Sequence, residues 1–444
     1  MELALRGSVL SFTDNPFLAP EEDCYVFEED GLVVIENGKI KKVGHAPNLL
    51  PELSPETKIT HYKSGLILPG FIDCHVHYPQ IEVIGAYGKQ LIDWLNKYTF
   101  VAEQKYKDLD YAKQAADLFL RELLQSGTTS ASVFCTVAPQ SVDAFFETSE
   151  KFGMLNLAGK VLMDRNAPEG LLDTAQTGYD QSKALIEKWH GRGRNLYSLT
   201  PRFAPTSTPE QMEMTGALWK EFPGTYLQSH ISENKGEIEW VQELFPDCKD
   251  YLDVYDHFGQ LGERAIYGHG IHLSEREFAR LHETGTTLAH CPTSNLFLGS
   301  GLFSFEKAYD PARPVHAGLA TDVGGGTSFS QLATMSEAYK VAQMRGSSLR
   351  AFQAFYMATR GAAEALYLTD RVGSIEPGLD ADLTVIDLKA TPLLEYRLSH
   401  AETLHDILFV LMILAEAQSI KATYVGGKCL MERVNGSVRF ADPL

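Results

Sequence analysis

A pair of histidines one residue apart, His75 and His77, closes the run Phe71-Ile72-Asp73-Cys74-His75-Val76-His77, directly after the apolar stretch Gly65-Leu66-Ile67-Leu68-Pro69-Gly70. On a strand alternate side chains share a face, so Asp73, His75 and His77 point the same way and two imidazoles can grip one ion. Three more side chains of ligand type, His230, His269 and Asp322, each follow a short strand-like run much further along the chain. For all five to meet, the fold must gather the ends of distant strands at one place. That requirement narrows the architectures open to this sequence more than any other feature.

The middle of the chain meets the requirement. Strand-like segments at 66–77, 128–134, 155–162, 195–203, 225–230, 264–269, 286–290 and 316–321 make eight. Helical patterns separate several of them, among them Asp180 to Trp189, Pro209 to Glu221 and Ser274 to Glu283. Tyr111 to Ser126 reads as an amphipathic helix with Tyr111, Ala115, Leu118, Phe119 and Glu122 at helical spacing, stopped by Gly127. Regular alternation of this kind predicts an α/β fold, a (β/α)8 barrel, whose catalytic groups sit at the C-terminal ends of the strands.

Both ends of the chain have a different texture. Leu32 to Gly44 reads as a hairpin turning at Asn37-Gly38. Asp382 to Asp387 and Ala422 to Leu430 are strand-like, the second with a Gly426-Gly427 turn. The expected organisation is a small sheet domain from 1–65 with 371–444, flanking a barrel over 66–370. With 444 residues, the chain is longer than a single core usually holds.

The formal charge of −19 repels phosphate backbones and argues against nucleic-acid binding. Six scattered cysteines with no CxxC pair read as reduced thiols in a cytoplasmic protein. No signal peptide is expected from the N-terminus. The longest apolar run, Ile407 to Ala415, is too short to cross a bilayer, which takes about 20 residues, and reads as a buried or interface helix.

Imidazole and carboxylate donors suit Zn²⁺ or Fe²⁺. Glu233, three residues after His230, reads as a general acid or base, with Ser232 as the competing reading's cap for a helix beginning near Asn234. Asp322 is placed to accept a proton from bound water. The sequence has no His-Glu-x-x-His helix and no Pro-Cys-x-x-Cys. Gly324-Gly325-Gly326 lacks a following Gly-Lys-Ser/Thr and reads as a mobile turn beside Asp322.

These motifs, with Gly268-His269-Gly270, Thr321-Asp322 and Ala289-His290-Cys291-Pro292-Thr293-Ser294-Asn295, resemble the amidohydrolase superfamily. Asp93 to Glu103 and Thr200-Pro201-Arg202-Phe203-Ala204 are similar to its guanine deaminase branch. The resemblance implies a distorted barrel, a small β-sandwich from both chain ends and a homodimer. It implies one zinc per subunit held by His75, His77, His230 and Asp322, with His269 at the metal or its water. Strand four lacks the lysine that bridges two metals in dinuclear relatives, so one ion is expected.

The implied reaction is hydrolytic deamination of a purine base, guanine, to xanthine and ammonia, with Glu233, Asp322 and His269 as catalytic residues. Gln80 and Arg202 bind the purine and Phe203 packs on it. Chemically, Arg202 can donate to a carbonyl oxygen and a ring nitrogen, and Gln80 offers a donor and an acceptor. Pro79 stiffens the loop before Gln80. Two alternatives remain: deamination or hydrolysis of another azaheterocycle (a triazine, cytosine or a nucleoside), and a non-enzymatic assembly protein on the same barrel. The intact ligand set argues against the last.

Overall fold

The computed structural model describes residues 2–87 and 91–441. Two sheets organise it. The first is a barrel of parallel strands in sequential order: Phe71–His77, Thr128–Phe134, Leu155–Gly159, Leu196–Pro201, Tyr226–Ile231, Ala265–His269, Thr287–His290 and Ala317–Leu319. The eight expected strands are all present. The seam between the first and the last closes just past the eighth strand, where Asp322 N donates to His75 O at 2.9 Å and His77 N to Val323 O at 2.8 Å.

The second sheet has eight strands drawn from both chain ends, ordered Ser437–Phe440, Lys428–Val434, Ile420–Val425, Leu383–Asp387, Lys58–Pro69, Glu2–Phe12, Tyr25–Glu36 and Lys39–His45. Its Lys39–His45 edge folds back onto the segment that leads into Leu383–Asp387. Ile40 N donates to Leu379 O and Gly427 N to Ala381 O, both at 2.9 Å. Leu5, Val33 and Ile35 then share a core with Val385, Ala422 and Tyr424. The expected hairpin turns at Asn37 and Gly38, with φ of +53° and +79°, the double left-handed geometry a two-residue I′ turn needs.

The stretch read as one strand over 66–77 is two. Leu66, Ile67 and Leu68 pair with Ile386, Val385 and Thr384 in the sheet of the chain ends, and the barrel strand begins at Phe71. That sheet therefore reaches Pro69, past the boundary expected after residue 65. An apolar run is covered on both faces in either setting, so its composition does not choose between them. Nor is 371–444 all sheet. The helix Leu404–Leu414, which holds most of the long apolar run, packs on the barrel's helices, with Phe409 5.1 Å from Tyr339 and His405 6.0 Å from Phe352. Residues 442–444 of this segment lie outside the described residues. Among those described, no helix is long and apolar enough to cross a membrane.

The helix Leu109–Gln125 starts where the Asp108 carboxylate accepts from Asp110 N and Tyr111 N, at 2.9 and 3.0 Å. Its buried face is Ala112, Ala116, Phe119, Leu120, Leu123 and Leu124. The stripe expected from sequence is thus rotated, because Leu118 is 51% exposed and Leu120 fully buried. Leu120→Ala is expected to cost about 2–5 kcal/mol. Leu118→Ala should stay within about 0.5 kcal/mol. Urea unfolding of the two variants checks the assignment.

Candidate metal centre and active site

The C-terminal ends of the barrel strands bring the five ligand-type residues together. His75 and His77 lie at the end of strand one, His230 in strand five, His269 at the end of strand six, and Asp322 just beyond strand eight. The Nε2 atoms of His75, His77 and His230 form a triangle with edges of 3.2, 3.2 and 3.3 Å. Asp322 Oδ1 lies 3.4 Å from His75 Nε2 and 3.3 Å from His77 Nε2. Donors about 2.0–2.1 Å from one ion lie roughly 3–4 Å apart, as these five separations do, so one ion can bridge these atoms. Three imidazole nitrogens at mutual hydrogen-bond distance cannot satisfy one another; a shared cation satisfies all three. His269 Nε2 stands off the triangle, 3.4 Å from Glu233 Oε2 and 3.8 Å from Asp322 Oδ2.

The far ring nitrogens fix the tautomers. His230 Nδ1 donates to Arg202 O at 2.6 Å, and His269 Nδ1 to Asn295 Oδ1 at 2.8 Å, leaving each Nε2 with a free lone pair. Burial holds His75 below its ordinary pKa, His77 down to about 3, and His230 well below its usual value, the last helped by the neighbouring histidines. Burial alone would raise Asp322, but hydrogen bonds from His75 and His77 hold its carboxyl well below the usual range. The triangle is therefore set as three neutral imidazoles beside an ionised carboxylate.

Behind it, the buried Asp73 accepts from Thr321 N at 3.0 Å, from the Thr321 hydroxyl, and from His75 N at 3.3 Å. Burial pushes this carboxyl up to about 7 against those bonds. Three site residues with side chains adopt left-handed backbone: Ser232 (φ +47°), His269 (+74°) and Asp322 (+50°). Each such conformation costs on the order of 1–3 kcal/mol and persists only where its surroundings impose it.

Glu233 is buried, with Oε1 accepting from Ser300 Oγ at 3.0 Å. Burial and the nearby Asp322 charge raise its pKa to about 8, so it carries a proton near neutrality. The cap expected from Ser232 is supplied instead by Asn234, whose side chain accepts from Gly236 N. Ser232, turned left-handed, is not in capping position. Glu237 completes that helix start by accepting from Glu233 N and Asn234 N, at 2.9 and 3.1 Å.

A cavity opens over the cluster, lined by His77, His230, His269 and Asp322 together with Gln80, Arg202, Phe203 and Glu233. Every residue expected at the site thus meets there, except that His75 lies beneath its floor. The triple glycine is pinned rather than mobile: Gly324 N donates to Gln80 Oε1 at 3.3 Å and Gly326 N to Asp322 O at 2.5 Å. A Cβ on Gly326 would sit 1.7 Å from Thr321 O, which explains the residue type.

Sequence reasoning missed Trp94, Leu95, Glu237, Leu298 and Gly325 in the cavity lining, and Asn295, Ser300 and Glu103 behind it. Trp94, Leu95 and Glu103 belong to a distinctive stretch, but nothing in its pattern tells lining from core.

Fold and site together define a metal-dependent barrel enzyme. The model of the Amidohydrolase family matches residues 66–430, and the chain belongs to that family. It is 49% identical to the guanine deaminase of Escherichia coli (strain K12), over 97% of this chain and 98% of that protein. The solved E. coli guanine deaminase superposes with a TM-score of 0.94, covering 97% of this chain and all of that one. A guanine deaminase structure from Bradyrhizobium japonicum also gives 0.94 at 37% identity, covering 98% of this chain and all of that one. One from C. acetobutylicum, with guanine bound in its active site, gives 0.85 at 29% identity, covering 97% and 100%.

Removing one corner of the imidazole triangle should empty the centre. His230→Ala is expected to lose stoichiometric divalent metal after dialysis, measured by elemental analysis, while far-ultraviolet circular dichroism keeps its shape.

Proposed function

We propose that this chain hydrolyses guanine to xanthine and ammonia. The observation that carries the reading is one cavity holding the His/Asp cluster, a buried acid and a donor pair, Arg202 and Gln80. The full-length likeness to guanine deaminases and the guanine in the C. acetobutylicum active site support it.

His75, His77, His230 and Asp322 would hold the ion, with His269 completing the cluster on the Glu233 side. When bound, a divalent ion lowers the pKa of a coordinated water from about 15.7 toward 7. The residues do the rest. Arg202 donates to the O6 and N7 acceptors of the purine, the pair a guanidinium fork reads on guanine. Gln80 adds a donor and an acceptor, and Phe203 offers a ring for packing. Asp322 takes a proton from water as its oxygen bonds to C2. Glu233, protonated near neutrality, gives its proton to N3. Asp322 returns its proton to the amine, the C2–N bond breaks with its electrons on nitrogen, and ammonia leaves. The remaining hydroxyl proton passes to Glu233 as the C2 carbonyl forms, which resets both carboxyls.

The metal is zinc, one per subunit, in a cytoplasmic homodimer. An N3O donor set suits zinc. The strand Leu196–Pro201 offers no lysine to bridge a second ion, and the buried Lys160 is paired with Asp173. All six cysteines are free, as a reducing compartment keeps them. The family resemblance supports the dimer. Elemental analysis should give one zinc per chain, and light scattering after gel filtration should give twice the 49.3 kDa chain mass.

Purified protein should deplete guanine absorbance and release ammonia, with adenine, cytosine and a triazine turned over far more slowly. Brisk turnover of one of these without guanine loss would sink the assignment. Glu233→Gln should keep its metal and lose roughly 10²–10⁴-fold in kcat.

A further inference from the structure

Glu103 does not line the cavity, yet both hydrogen-bonding groups assigned to the purine are tied to it. It ends the short helix Phe100–Glu103 and is almost wholly buried. Arg202 Nη1 donates to both of its carboxylate oxygens, at 2.9 and 2.8 Å. Gln80 Nε2 donates to Oε1 at 3.2 Å. The Arg202 guanidinium lies 5.3 Å from the centroid of the Phe100 ring, so one short helix grips it by charge and by an aromatic face.

Two consequences follow from donor and acceptor chemistry alone. A carboxylate cannot donate and a backbone N–H cannot accept. Gln80 must therefore turn its NH2 to Glu103 and its Oε1 to Gly324 N, which fixes the polarity of the amide. With Nη1 engaged, the guanidinium keeps Nε and Nη2 for other acceptors. Among the described residues no hydrogen bond uses either. Glu103 also balances a cation that would otherwise be buried alone.

We propose that Glu103 is the positioning residue that makes this site specific for a 6-oxopurine, by locking Arg202 and Gln80 into one donor and acceptor pattern. The inference rests on the functional reading above. A base without an acceptor at C6 keeps only the N7 half of the Arg202 contact and gains less from the lock. Loss of Glu103 then weakens guanine far more than an O6-free analogue.

The test compares guanine with 2-aminopurine, which keeps the ring and the C2 amine, lacks O6, and reports its own binding by fluorescence. Truncating one partner of a buried charge pair is expected to lower kcat/KM for guanine roughly 30-fold or more in Glu103→Gln, chiefly through KM. The Kd for 2-aminopurine should move less than about threefold, within the range of neutral substitutions, and the metal content should hold. Equal losses on the two bases would mean that Glu103 only packs, overturning the inference. If Glu103→Gln does not fold, Glu103→Asp, which keeps the charge, serves the same comparison: guanine weakened more than 2-aminopurine supports the inference, and equal weakening overturns it. Lack of guanine turnover by the unaltered enzyme would instead overturn the functional reading beneath it.

Discussion

The closure of the barrel between strands one and eight is the constraint on which the rest depends. Its two backbone bonds involve four residues that belong to the candidate site or adjoin it: Asp322 N to His75 O, and His77 N to Val323 O. Asp73 adds a carboxylate stitch to Thr321 one step deeper. The candidate metal centre is thus built into the seam. Any shift of strand eight against strand one moves Asp322 relative to the imidazoles by the same amount, so the register that closes the sheet also sets the ligand geometry.

The electrostatics of the cluster follow from its burial. Three neutral imidazoles and an ionised Asp322 are enclosed beside Glu233 and Glu237, both lifted by burial and by a neighbouring carboxylate. A divalent ion supplies the positive charge that this array lacks. The left-handed backbone at Ser232, His269 and Asp322 shows the cost of aiming side chains inward from the ends of strands five, six and eight. The hydrogen-bonded surroundings, from Asn295 to Glu237, hold that strain in place.

Much of this is legible in the sequence where one local signal decides the outcome. Alternate histidines on an apolar strand, left-handed turn residues at Asn37-Gly38 and regular strand–helix alternation each have few solutions. The break at Gly70 is not legible, because the flanking residues are apolar and buried on both sides of it. The buried stripe of Leu109–Gln125 is misread around Leu118, since a leucine at helical spacing does not reveal which neighbours the fold supplies. The ligand set is legible as side-chain types. The roles of Asn295, Ser300 and Glu103 are not, because each acts through a contact made only after folding.

The sheet of the chain ends has a consequence in time. Leu66, Ile67 and Leu68, immediately upstream of the first barrel strand, take their antiparallel partners from Thr384 to Ile386. During synthesis the N-terminal strands emerge first and hold one open edge while the whole barrel is made. Contacts this distant in sequence are slow to form, and an unpaired apolar edge invites other chains. Completion of the sheet around Lys58–Pro69 is therefore among the last events of folding, and truncation near the C-terminus would leave that edge exposed from the start.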